Sequence, residues 1–296
     1  MKTRATFFRK TKDSLMRAFS GFATSMALVL MAWVIFTIVR EGHSSISAGL
    51  FLNASKPFGE VGGGIANALL GTVMITAGAA ALALPPALAA GIWLAEFGKD
   101  SLLARAARFT VNVMMGVPSV IVGLFAYGVL VTTTGHFSGF AGSFALAILM
   151  FPVVVRTTED QFSGIGDALR ESSLALGASR ARSTLTVIWR AARSGVVTGV
   201  LLAVARVSGE TAPLLFTALF ADTWPTSYFS GPTPSAPVLI TSYTMDSPFE
   251  SMHRIGWSAA LAMAVILLAV NITARYFGAK RAAKKEMTSC KRKNTR

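Results

Sequence analysis

Residues Val196–Phe220 read VVTGVLLAVARVSGETAPLLFTALF, an apolar run broken by one arginine, Arg206, and one glutamate, Glu210. A helix of this length spans the ~30 Å hydrocarbon core of a bilayer. An ionised side chain in the middle of such a helix costs about 3 kcal/mol on insertion scales. Both charges must therefore face protein or a water-filled path. The stretch reads as a membrane helix with its function inside it, and the rest of the chain is read outward from there.

Five further charge-free stretches flank it: Gly21–Val39, Ile65–Ala95, Thr110–Val131, Phe140–Val155 and Gly256–Ala274. Together they predict an all-α polytopic membrane protein with six transmembrane helices. The composition agrees, with 53% hydrophobic and only 14% charged residues in 296. Pro85-Pro86 predicts a kink or break in the second span.

The net charge of +14 is topological. Six Lys/Arg lie in residues 1–20, three in 96–108, six in 156–193 and nine in 275–296, whereas the alternate loops hold only Arg40, Lys56 and Arg254. The positive-inside rule then places both termini, 96–108 and 156–193 in the cytosol. Two cytosolic ends require an even number of spans. Because the basic residues are spread by topology, no nucleic-acid partner is expected. The run after Gly21 is longer than a signal core and has no small-x-small cleavage site, so it reads as the first span. The single Cys290 excludes a disulfide framework, and His43, His136 and His253 are scattered, so neither a metal nor a cofactor is expected.

The chain divides into a basic lead-in at 1–20, a transmembrane domain at 21–277 and a basic tail at 278–296, read as disordered. Within the domain, 156–194 is the long cytosolic loop and 222–255, with five prolines, the long outside loop. Residues 165–178 fit an amphipathic helix: Ile165, Leu169, Ser172 and Leu176 fall on one side, Asp167, Arg170 and Glu171 opposite. Periodicity leaves open whether it rests on lipid headgroups or docks on a soluble partner. Gly177 ends or bends it.

Arg206 and Glu210, at i and i+4, fit an ion pair on one helix face. Such a pair locks helices together, or it offers a guanidinium fork to an oxyanion. Arg156, at the end of the fourth span, is a second candidate for the path and equally an ordinary positive-inside anchor. Gly209 with Pro213, and Gly116 with Pro118, mark positions where the helices bend.

Two motifs then carry a resemblance. Glu171-Ser172-Ser173, Gly177 and Val187 resemble the Glu-Ala-Ala loop of ABC-transporter permeases, with serines in place of the alanines and Trp189-Arg190 in place of its Leu-Pro. Arg206-Val207-Ser208-Gly209-Glu210-Thr211-Ala212-Pro213-Leu214-Leu215 resembles the signature of phosphate-importer permeases of the PstA type. Gly116-Val117-Pro118-Ser119 with Gly123-Leu124-Phe125, and Phe151–Glu159, extend the likeness, which covers 62–220 densely. Gly63-Gly64-Ile65 with Gly71-Thr72, and Pro86 through Gly91 to Glu96, match more loosely.

The resemblance implies a type I importer permease of MetI-like architecture in a bacterial inner membrane. It implies a second permease subunit, two cytosolic ABC ATPases and an extracytoplasmic phosphate-binding protein as partners. It further implies a substrate path along Arg206, Glu210, Arg156, Ser119 and Thr211, and a coupling loop of Arg170, Glu171, Ser172, Ser173, Gly177 and Val187. No G-x-x-x-x-G-K-[ST] loop occurs, so ATP must be handled by a partner and the chain is not expected to be an enzyme. A permease for sulfate, molybdate or phosphonate, and a self-sufficient carrier or channel, remain the alternatives from residue chemistry.

Overall fold

A computed structural model describes residues 2–60, 62–98 and 101–293, with side chains for 12–60, 62–98 and 101–273. Its principal helices are α1 (Lys2–Gly42), α2 (Ala66–Glu96), α3 (Leu102–Gly116), α4 (Ser119–Ala126, extended by a wider turn to Thr134), α5 (Gly139–Ser163), α6 (Asp167–Ala175), α7 (Arg180–Val207), α8 (Ala212–Thr217), α9 (Ala236–Thr241) and α10 (Glu250–Lys293). No strand occurs among the described residues.

Helices α1, α2, α5, α7 and the Glu250–Thr273 part of α10 are each long and apolar enough to cross a bilayer. The sixth expected span is a broken one, in which α3 and α4 meet at 100°. Its cause is local. Pro118 disfavours helical geometry at the residue before it, and Val117 is extended (φ −71°, ψ 128°). The hollow inside the bend is apolar, about 220 Å³, and bounded by Met114, Val117, Ile121, Phe125 and Leu149.

The core is α2 against α5. Ile75, Ala79, Ala83 and Ala87 recur every four residues on α2 and are buried with Leu146, Met150, Val154 and Val155. Small residues let the two backbones approach closely. A Cβ at Gly91 would sit 2.6 Å from Thr158 Cβ, so only glycine fits there. Of the kink or break expected at Pro85-Pro86, the break does not occur: α2 is continuous through both prolines. Both prolines are exposed, so their rings and the carbonyls they strand point away from the α5 contact.

Helix α1 leaves Phe22, Trp33 and Phe36 exposed and meets α10 near its end, where Ser258 Oγ donates to Gly42 O at 2.7 Å. Two further expectations change. Helices α5 and α7 take up both ends of the 156–194 segment, leaving 164–179 as the connection. The tail read as disordered is helical through Lys293; residues 294–296 and the side chain of Cys290 lie outside the described residues.

Candidate functional site

The Arg206–Glu210 segment is not a continuous helix. Helix α7 stops at Val207, and Gly209 and Glu210 are held only by turn bonds to Arg206 O (3.2 Å) and Val207 O (3.1 Å). Pro213 cannot donate to the carbonyl four residues back, and its ring would clash with it. The chain therefore turns and restarts as α8, where Thr211 O accepts from Leu214 N and Leu215 N. Glu210 swings off the α7 face, and the expected Arg206–Glu210 ion pair does not form. Arg206 is exposed on this chain; Glu210 and Thr211 are half-buried.

This break lies deep in the bundle. A Cβ at Gly209 would touch Leu267 Cδ1 at 3.8 Å. Leu267 is about 25 Å along α10 from its first residue, at 1.5 Å per residue. An exposed arginine at that depth needs cover from another protein surface or from water. Of the other path candidates, Ser119 opens α4 beyond the α3–α4 bend and is half-buried. Helix α4 packs on α8, with Gly123 against Pro213. The two broken helices thus meet each other. Arg156 is not at the break. It is paired along its own helix with Glu159 (3.7 Å) and Asp160 (3.3 Å).

Helix α6 turns Arg170 and Ser173 inward, while Asp167 and Glu171 stay exposed: Arg170 is 14% exposed and reaches Glu96 Oε1 at 2.7 Å, itself 5% exposed. Arg170 also donates to Phe162 O at 2.7 Å, to Ile165 O and to Asp167 Oδ1 at 3.3 Å. Phe162 O lies in the last turn of α5, where it also accepts from Ile165 N at 3.1 Å, and Ile165 O lies in the connection to α6; a cation is favoured at such a helix end. Hydrogen bonding to Glu96 chiefly raises the Arg170 pKa above its ordinary value, against a smaller opposing effect of burial.

Ser173 is buried and bonded to the Ser183 hydroxyl, joining α6 to the start of α7. Outward stand Leu169, Leu174 and Leu176, the last 89% exposed, with Glu171 and Ser172. Glu171 forms no ion pair among the described residues. Gly177 ends the helix with φ +82°, a conformation that favours glycine. Val187 is partly buried against the Phe162, Ile188 and Ala192 cluster.

Three groups at this end were missed by sequence reading. Glu96 receives Arg170; Arg180 Nη2 donates to Glu96 O at 2.5 Å, with its guanidinium carbon 5.6 Å from the Phe97 ring centroid. Arg108 joins Glu159 at 2.6 Å and donates to Leu94 O at 2.9 Å. Their signal was present only as charges at helix ends, with partners 51 to 84 residues away.

The opposite end is capped by neutral bonds. Tyr228 donates to Ser143 Oγ (2.6 Å), which donates to Ile75 O (2.8 Å). Tyr243 donates to Lys56 O at 2.8 Å, and burial pushes its pKa up to about 12. Burial, aided by Glu60, also raises Asp222. No group of three or more His, Cys, Asp or Glu side chains is placed to hold a metal among the described residues.

Comparison with known proteins accords with this geometry. The family described as binding-protein-dependent transport system inner membrane component matches residues 87–282. The phosphate transport system permease protein PstA of Haemophilus influenzae is 40% identical over 271 residues, covering 92% of this chain and 95% of that protein. Its counterpart in Pasteurella multocida is 38% identical over 269 residues, covering 91% and 95%. That of Yersinia pestis is 38% identical over 274 residues, covering 93% and 92%. Among solved structures, an inward-facing MetNI methionine ABC transporter superposes with a TM-score of 0.61, covering 73% of this chain and 95% of that chain. At 14% identity that likeness is one of fold. A permease fold, and these relatives along nine-tenths of its length, lead to one assignment: the chain belongs to the binding-protein-dependent transport system inner membrane component family, as a permease of the PstA type.

Proposed function

We propose that this chain is the membrane-spanning permease subunit of an ATP-driven phosphate importer. The observation that carries the reading is the set of PstA relatives at 38–40% identity over more than nine-tenths of the chain. Their shared substrate favours phosphate over sulfate, molybdate or phosphonate. The subunit pairs with a second permease, receives phosphate from an extracytoplasmic binding protein and is driven by two cytosolic ATPases. Both termini and the α6 connection face the cytosol, in line with the distribution of Lys and Arg.

Arg206 and Glu210 flank the path at the α7–α8 break. The support is physical: an exposed arginine at bilayer depth is stable only against protein or water, and a guanidinium matches an oxyanion. Helix α6 docks on an ATPase through Leu169, Leu174 and Leu176, which the bundle leaves uncovered, with Glu171 beside them.

Reconstitution with the ATPase, the second permease and the binding protein tests this. Arg206→Ala should lower phosphate uptake about tenfold or more, in line with losing a charge-assisted bond of ~1.5–3 kcal/mol, while the complex still assembles. Normal uptake by both Arg206→Ala and Glu210→Ala would remove the pair from the path. Equal competition by sulfate and phosphate would overturn the substrate.

A further inference from the structure

The C-terminal turn of α2 receives an arginine from each of three neighbouring elements. Arg108 from α3 reaches Leu94 O, Arg180 from α7 reaches Glu96 O, and Arg170 from α6 reaches both Glu96 carboxylate oxygens at 2.7–3.3 Å. A helix C-terminus presents unpaired carbonyls and a partial negative charge, and cations there are favoured. Here the cations come from three different segments, so the turn is a junction as well as a cap. Arg108 extends it to α5 through Glu159.

The covalent links of α6 to the bundle are compliant. Gly166 precedes it with nothing within 4 Å of a Cβ position, and Gly177 follows in the left-handed region. Beside the Ser173–Ser183 bond to the start of α7, the buried Arg170–Glu96 pair ties α6 to α2. With both partners nearly dry, its geometry is held strongly; removing Arg170 leaves the buried Glu96 without its ion pair, and removing Glu96 leaves Arg170 only the exposed Asp167.

We propose that Glu96 is a positioning residue through which movement of α6 is passed to α2, and through the arginine junction to α3, α5 and α7. The proposal rests on the reading of α6 as the ATPase-docking helix. It makes α6 and α2 one rigid body during transport, with the glycines on either side of α6 absorbing the difference.

The test uses the assembled complex, with Cys290→Ser as background and spin labels at Ala168→Cys on α6 and Leu82→Cys on α2. Inter-label distance is measured without nucleotide and with ATP trapped by vanadate. The distance is expected to be the same in both states. Glu96→Gln should make it state-dependent and cut phosphate uptake per ATP hydrolysed by about fivefold or more, while ATP hydrolysis continues. Arg170→Gln should do the same and serves if Glu96→Gln fails to assemble. A distance that already changes with an intact pair overturns the proposal. So does a variant that keeps both a constant distance and the normal uptake per ATP. A complex with an intact pair that takes up no phosphate counts against the transport reading instead, and the label distances still report on the junction.

Discussion

A Cβ added at Gly123 would lie 2.7 Å from the Cα of Pro213. Helices α4 and α8, each restarting after a proline-directed break, therefore touch backbone to ring with no room for a side chain. This contact places the α3–α4 bend beside the α7–α8 break that exposes Arg206.

Gly123→Ala should force Pro213 to shift, at a cost of about 1–3 kcal/mol for an overpacked contact. Thermal inactivation in detergent measures it. Gly128→Ala, with nothing within 4 Å of its Cβ position, should leave stability unchanged or slightly raised. Equal behaviour of the two variants would show that the helices do not meet here.

Tyr228 anchors the cap opposite the arginine junction, and its hydroxyl occupies the space that a side chain at Gly78 would need. Gly78→Ala should displace it, losing the bond to Ser143, worth about 1 kcal/mol net, in addition to the overlap. In a Tyr228→Phe background the same substitution should cost less, because the overlapping atom is gone. Additive effects in this double-mutant cycle would contradict the contact.

Arg108 and Glu159 join α3 to α5 at the charged end, with Glu159 buried. Arg108→Ala should destabilise by about 1–3 kcal/mol, since it leaves the buried Glu159 only its longer 3.7 Å contact with Arg156. Arg108→Leu with Glu159→Leu should be milder than Arg108→Ala alone. Denaturation of the purified chain compares them, and a double variant worse than the single would refute the burial argument.

The same cap carries two acids whose neutral forms are favoured. Tyr243 is raised from 10.0 to about 12, so its contribution is complete below pH ~10 and is lost as pH climbs toward 12. Asp222 is raised from 3.8, so its contribution is present below that value and lost as pH rises through its folded pKa. Asp222→Asn should therefore be more stable than the parent chain at neutral pH, with the gap closing in acid. It should also narrow the alkaline window of Tyr243, because the Asp222 charge helps raise that group. A gap that widens in acid would contradict the sign.

The spans and the Gly116–Pro118 bend were legible because both follow from local rules: uninterrupted apolar length, and a proline that constrains its predecessor. Gly209 and Pro213 were legible as a weak point, but whether the helix bends or stops there is not a local property. Helix α6 was legible as an element, and which of its residues meet the bundle was not. Periodicity sorts Leu169 and Leu176 from Arg170, yet which side turns inward depends on Glu96, 74 residues earlier.

Sequence alone thus determined a helical membrane protein, the uneven placement of its basic residues and the weak point at Gly209 and Pro213. In a bilayer every backbone polar group must be satisfied within the segment, so apolar length dictates helix. Only the tertiary structure decided which charges neutralise each other. Arg170, Arg108 and Arg156 found acids, while Arg206 and Glu210 separated. Ion pairs act over a few ångströms in space, and a linear chain does not record which of its distant charges will come that close.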